Sequence, residues 1–171
     1  MRLLLSLCSR TEEAPEALIV VDPRIGTIEP VALPDRGMGA FGIGVAGETV
    51  YCVIDHGRPA PDEAERSEIV VLDPETFAVR SRYVFRVARD VHSIAAGDGC
   101  LYAASTGTDE LVELRLHHEG WISEERVAWR PEASGERTDQ HHLNAVAVVD
   151  GKLFVCGFGR RPSEGSEWKH G

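Results

Sequence analysis

The chain has 171 residues, 43% hydrophobic and 27% charged, the composition of one globular domain with enough apolar material to bury a core. Its formal net charge is -10, with two lysines and sixteen arginines against 28 acidic residues, and no local basic patch offsets that total. Such a surface repels phosphate backbones, so nucleic acid is excluded as an expected partner.

The opening "MRLLLSLCSR" imitates a secretory signal, but its apolar run stops at Cys8, shorter than the roughly seven to fifteen residues a signal needs. Leu7 also stands where a lipoprotein cleavage site would want a small residue. No stretch is long enough to span a bilayer, so neither export nor a membrane partner is expected. Cys8, Cys52, Cys100 and Cys156 are far apart, lie in apolar runs and form no C-x-x-C pair. Buried thiols in a reducing cytoplasm are the expectation.

In chain order the apolar runs are short and bounded by Gly, Pro, Asp or Asn. "RLLLSLC", "ALIVVDP" and "TIEPVAL" come first, and "FGIGVAGETVYCVI", "EIVVLDP" and "AVRSRYVF" follow. "HSIAAGDGCLYAAS", "ELVELRL" and "WISEERVAW" form a third set, and "NAVAVVDGKLFVCG" begins a fourth. Their richness in Val, Ile, Leu, Tyr and Phe marks strands, and no segment carries a long helical period. The sets are repeats: residues 41–54 align with 92–105 at an offset of 51, and 92–105 with 144–157 at an offset of 52.

Four short strands per unit of about 40–50 residues is the arithmetic of a β-propeller blade. With strands named A to D outward from the axis, the chain reads B-C-D, A-B-C-D, A-B-C-D and A-B, thirteen strands in all. The predicted fold is therefore all-β and propeller-like: partial blade 1–35, full blades 36–87 and 88–134, and partial blade 135–171. An incomplete ring leaves strand edges and apolar blade faces uncovered. The expectation is an N-terminal fragment of a longer protein whose remaining blades close the ring; the rivals are an open meander or a partner chain that completes it.

"HLNAVAVVDGKLFVC" resembles the "PNG-apolar-apolar, DG, LYV" segment of six-bladed propellers of the gluconolactonase and strictosidine-synthase type. "DQHHLNAVAVVDGKLFVCGFG" with a following Trp is also similar to an uncharacterised bacterial group of propeller-like proteins. The resemblance is motif-like over 139–168 and otherwise a matter of blade rhythm. It implies a divalent metal on the axis, held by a glutamate, asparagines and an aspartate. Of that set only the motif asparagine carries over, onto Asn144, with Leu143 in place of proline and Ala145 in place of glycine. The glutamate and the aspartate have no counterpart in this sequence.

Equivalent positions at the starts of inner strands face one central cavity. His92 and Asn144 are equivalent by the 52-residue offset, and His142 lies two residues before Asn144, on the same side of an extended strand, whereas His141 points away. Asp90 and Asp139 are close in sequence. The candidate ligand-binding set is therefore His92, His142, Asn144, Asp90 and Asp139. Within it, His92, His142 and Asn144 are candidate ligands of a divalent metal. The alternative is that these side chains satisfy backbone groups where strands fan out around a wet channel.

Elsewhere, His117-His118 is expected in solvent at an outer turn, and Trp121 and Trp129 against a neighbouring blade. "GRPAPDEAERSE" (57–68) reads as a solvated loop entered at His56, with a lid as the functional alternative. "GMGAFGIG" (37–44) leads into a strand and reads as close packing near the axis. No G-x-S-x-G, P-loop or H-E-x-x-H motif occurs. The expected function is binding of a small polar, carbohydrate-related ligand at the central channel. The alternatives are a protein-interaction scaffold, whose partner is another protein, and a metal-dependent lactonase-like hydrolase.

Overall fold

The structure is a computed structural model that describes residues 2–8, 17–33, 39–56, 67–131 and 139–160. Most of the 57–68 loop and the tail after 160 lie outside the described residues. The strands are β1 (Leu3–Ser6), β2 (Leu18–Asp22), β3 (Thr27–Pro30), β4 (Gly39–Ala46), β5 (Thr49–Asp55), β6 (Ser67–Leu72) and β7 (Val79–Val84). They continue as β8 (Val91–Ala96), β9 (Cys100–Ser105), β10 (Glu110–Leu116), β11 (Ile122–Trp129), β12 (Leu143–Val149) and β13 (Lys152–Gly157).

These strands form four antiparallel meanders, β1-β2-β3, β4-β5-β6-β7, β8-β9-β10-β11 and β12-β13. Among the described residues that is the thirteen-strand pattern the repeats predict, two full four-stranded units between two partial ones. The turns follow from their residues: Asp150 and Gly151 both take positive φ, 50° and 71°, the two-residue turn that suits the twist of a hairpin. Among the described residues no helix is long and apolar enough to cross a membrane.

The second unit is covered on both faces, so β6 is buried at every position and β5 at all but Asp55. Tyr51, Val53, Ile69 and Val71 pack against Ile94, Leu101, Val112 and Leu114 of the third unit. The alternate residues Val50, Cys52, Ile54, Val70 and Leu72 pack against Leu18, Val20 and Val31 of the first. A strand with two apolar neighbours reads as a continuous hydrophobic run, which is why "TVYCVI" shows no alternation.

The inner strands β4, β8 and β12 lie side by side. A Cβ on Gly42 would fall 2.6 Å from the Ile94 amide nitrogen, so the glycine lets β4 approach the β8 backbone. This is the close packing expected of "GMGAFGIG". Ser93 Oγ accepts the Val146 N–H at 3.3 Å, and the Thr106 hydroxyl donates to the Leu143 carbonyl, joining the third unit to the fourth. Glu125 on β11 accepts from the Tyr83 hydroxyl and from the Arg86, Val87 and Ala88 amides at 2.7 to 3.1 Å. That carboxylate fixes the segment leading from β7 into β8.

Two expectations change. All four thiols are free, but only Cys52 and Cys100 are buried; Cys8 and Cys156 are exposed, because among the described residues no further sheet covers the flanking units to which they belong. Trp121 and Trp129 are also exposed, 45% and 48%, since they bracket the outermost strand β11.

Candidate functional site at the mouth of the inner strands

Each inner strand begins with a break in its pairing register, between Ala40 and Ile43 in β4, Val91 and Ser93 in β8, and Leu143 and Ala145 in β12. A bulge leaves a residue out of the ladder and re-aims its side chain. The re-aimed residues are Phe41, His92 and Asn144, one from each consecutive unit and all at the same repeat position. They touch in series. Phe41 stacks on the His92 ring at 5.2 Å and 6°, and His92 Nδ1 lies 3.1 Å from Asn144 Oδ1.

The other His92 nitrogen, Nε2, lies 3.0 Å from Asp90 Oδ1. An amide oxygen and a carboxylate are both acceptors, so the ring makes both bonds only as the imidazolium, with two N–H donors. The His92 pKa is raised above its ordinary 6.5, first by the hydrogen bond to Asp90; burial opposes this, and the Asp90 charge, the Asn144 bond and the Asp55 charge add to it. A neutral ring keeps the Asp90 bond but holds the other only if the Asn144 amide turns over to present its NH2.

His142 meets this cluster by a different route from the one its spacing suggests. It is not part of an extended strand: β12 starts at Leu143, and His142 takes φ of +50°. The same left-handed turn occurs one repeat earlier at Asp90, with φ of +48°. The kink sends the His142 ring to an edge-to-face contact with His92 at 5.4 Å, while Phe158 stacks on it at 4.8 Å. His142 Nδ1 lies 3.1 and 3.2 Å from the two oxygens of Asp139. A carboxylate that takes Nδ1–H orients the imidazole and makes Nε2 the nitrogen that carries the lone pair, a pairing suited to accepting a proton.

The structure thus brings together all five candidates, His92, His142, Asn144, Asp90 and Asp139, and adds Phe41, Phe158 and Asp55. Phe41 was available from the sequence, since it stands one repeat before His92; Phe158 carries no such signal. His141 turns the other way, its Nδ1 3.6 Å from Asp109 Oδ2, and Asp109 also takes the Gln140 and His141 amides. His56 Nε2 lies 3.1 Å from Glu68 Oε1, a buried carboxylate that Arg82 holds with two nitrogens.

As placed, His92, His142 and Asn144 do not fit a metal ion. Both His92 nitrogens and the Asn144 oxygen are engaged with partners. Among the described residues the group of His, Cys, Asp or Glu side chains close enough to share an ion lies elsewhere, at His117, His118 and Glu119.

No protein-family model matches the chain, and no curated protein matches it. Solved structures do. The periplasmic gluconolactonase of Pseudomonas aeruginosa matches with a TM-score of 0.61 at 15% identity, over 94% of this chain and 48% of its own. The fold is β-propeller-like. A Lactobacillus plantarum protein matches with a TM-score of 0.62 at 14% identity, over 93% of this chain and 46% of its own. A putative 6-phosphogluconolactonase from Bacteroides uniformis matches with a TM-score of 0.56 at 14% identity, over 95% and 51%. At such identities the likeness shows the fold alone, and the chain spans about half the length of these proteins.

Proposed function

We propose that this chain forms one side of a central small-molecule site, and that its ligand is small, polar and carbohydrate-related. The observation that carries the reading is the row Phe41–His92–Asn144, one residue from each unit, continued by His142. It sets aromatic faces beside imidazole and amide edges, which suits a polyhydroxylated ring with apolar faces and hydroxyl rims. The row draws imidazole, amide and carboxylate groups from separate units to one mouth, and this favours a ligand site over a purely structural cluster or a scaffold. Two of the matched structures, a gluconolactonase and a putative 6-phosphogluconolactonase, support a sugar lactone as the first ligand to try.

A second reading, lactone hydrolysis, is favoured by the Asp139–His142 pair. With Asp139 holding Nδ1–H, His142 Nε2 takes a proton from water as the water oxygen bonds to the lactone carbonyl carbon. The ring C–O bond then breaks, and the same proton passes to the departing alkoxide, leaving the open acid. No metal enters that sequence.

The test is calorimetric titration with D-glucono-1,5-lactam, a neutral analogue that does not hydrolyse, together with lactone turnover above the spontaneous rate. Binding by the wild type that weakens at least about tenfold, or 1.4 kcal/mol, in both His142→Ala and Asn144→Ala supports the site. Binding unchanged in both variants, or no binding by a folded wild type, rejects it. Hydrolysis is supported only if turnover falls in Asp139→Asn while lactam binding persists.

A further inference from the structure

The other end of the strands carries a second histidine cluster, in a cleft of about 1260 Å³ bounded by the β4-β5 and β8-β9 turns and by the turn from β10 to β11. We propose that His117, His118 and Glu119 in this last turn form a binding site for a first-row divalent cation of the zinc type, separate from the mouth at His92.

The turn is held before any ion arrives. The His117 N–H donates to the Trp121 carbonyl and the Gly120 N–H to the His117 carbonyl, each at 2.8 Å. The Leu116 N–H donates to the Gly99 carbonyl at 2.9 Å, and the hydroxyl of the fully buried Tyr51 donates to the Gly120 carbonyl at 2.7 Å. Gly120 takes φ of +84°, and a Cβ there would meet Thr49 Oγ1 at 2.9 Å, so a glycine lets the turn sit against the second unit. On this base the His117 ring is fixed between two others, stacked on Trp121 at 4.4 Å and against His118 at 3.8 Å.

One ligand atom from each of His117, His118 and Glu119 lies within 4.8 Å of the others, and Glu119 Oε2 is 3.7 Å from His117 Nδ1. Zinc bonds near 2.0–2.1 Å set tetrahedral ligand atoms about 3.3–3.4 Å apart. The group therefore closes on an ion through movement of the two exposed side chains, His118 and Glu119, while His117 stays on Trp121. Two imidazoles and a carboxylate select zinc, nickel or copper(II) over magnesium or calcium, which want oxygen alone. Glu48, Glu75 and Asp98 line the same cleft and add negative charge that draws a cation.

The experiment takes the chelator-treated protein and titrates zinc sulfate by calorimetry, then copper(II) by fluorescence. The expected result is one zinc per chain. Its affinity falls at least about tenfold in His118→Ala and in Glu119→Gln, the scale on which even supporting partners of metal ligands act. Both positions are exposed and outside the core, so these variants keep the fold, which circular dichroism checks. Copper should quench a fluorescence component that Trp121→Phe removes. Zinc binding that survives His118→Ala with Glu119→Gln combined, that is lost in His142→Ala instead, or that is missing at millimolar zinc overturns the proposal.

Discussion

The two histidine clusters sit at opposite ends of the sheets, one at the start of the inner strands β8 and β12 and one in the turn from β10 to β11, and are built by opposite means. At the mouth, His92 and His142 come from separate units, and each is tied to a carboxylate near it in sequence, Asp90 at 3.0 Å and Asp139 at 3.1 Å. In the outer turn, His117, His118 and Glu119 are consecutive and are assembled by a single turn on β10 and β11. A cluster drawn from several strands exists only if the sheets pack correctly, whereas the turn cluster is made within its own hairpin and meets the second unit only where Tyr51 and Thr49 seat Gly120. The first therefore reports on the whole fold and the second on one corner of it.

A substitution at the glycine behind each cluster separates them. Gly42→Ala should have the largest effect, because its Cβ would fall on backbone, 2.6 Å from the Ile94 nitrogen, and backbone cannot rotate away. Forcing β4 from β8 should cost about 1–3 kcal/mol, read as a lower urea midpoint, with loss of lactam binding at the mouth. Gly120→Ala should cost about 1–2 kcal/mol, set by its positive φ, and should weaken zinc binding while sparing the mouth. His118→Ala should leave stability within about 0.5 kcal/mol of wild type.

The pH dependence sharpens the comparison further. The folded His92 pKa is raised above 6.5, so its contribution to stability is fully present below 6.5 and is lost as pH rises through the raised folded value. Urea midpoints should show the gap between wild type and His92→Gln widest on the acid side and shrinking across that window. A gap that grows with pH would mean that His92 is held as the neutral ring.

Much of the fold was legible because its signals are local and repeated. Runs of Val, Ile and Leu ending in Asp-Gly give hairpins, and the offsets of 51 and 52 align inner strand with inner strand. The same offsets placed His92 beside Asn144. At His142 the residue reaches the mouth but by another route, because the strand period was carried one residue beyond the strand, where the chain turns left-handed. Exposure at Cys8, Cys156, Trp121 and Trp129 was misread for a related reason. An apolar run shows that a residue can be buried, but which face has a neighbouring sheet is a property of the flanks. Phe158 was invisible because the residue one repeat earlier, Thr106, is not aromatic.

The most direct test of the mouth as a site is to follow the imidazole nitrogen resonances of the histidines by NMR while D-glucono-1,5-lactam is added. The account predicts that His92 and His142 shift together along one saturable curve, with His117 and His118 unmoved and the response lost in Asn144→Ala. Shifts confined to His117 and His118, or none at His92 and His142 at saturating lactam, would contradict it.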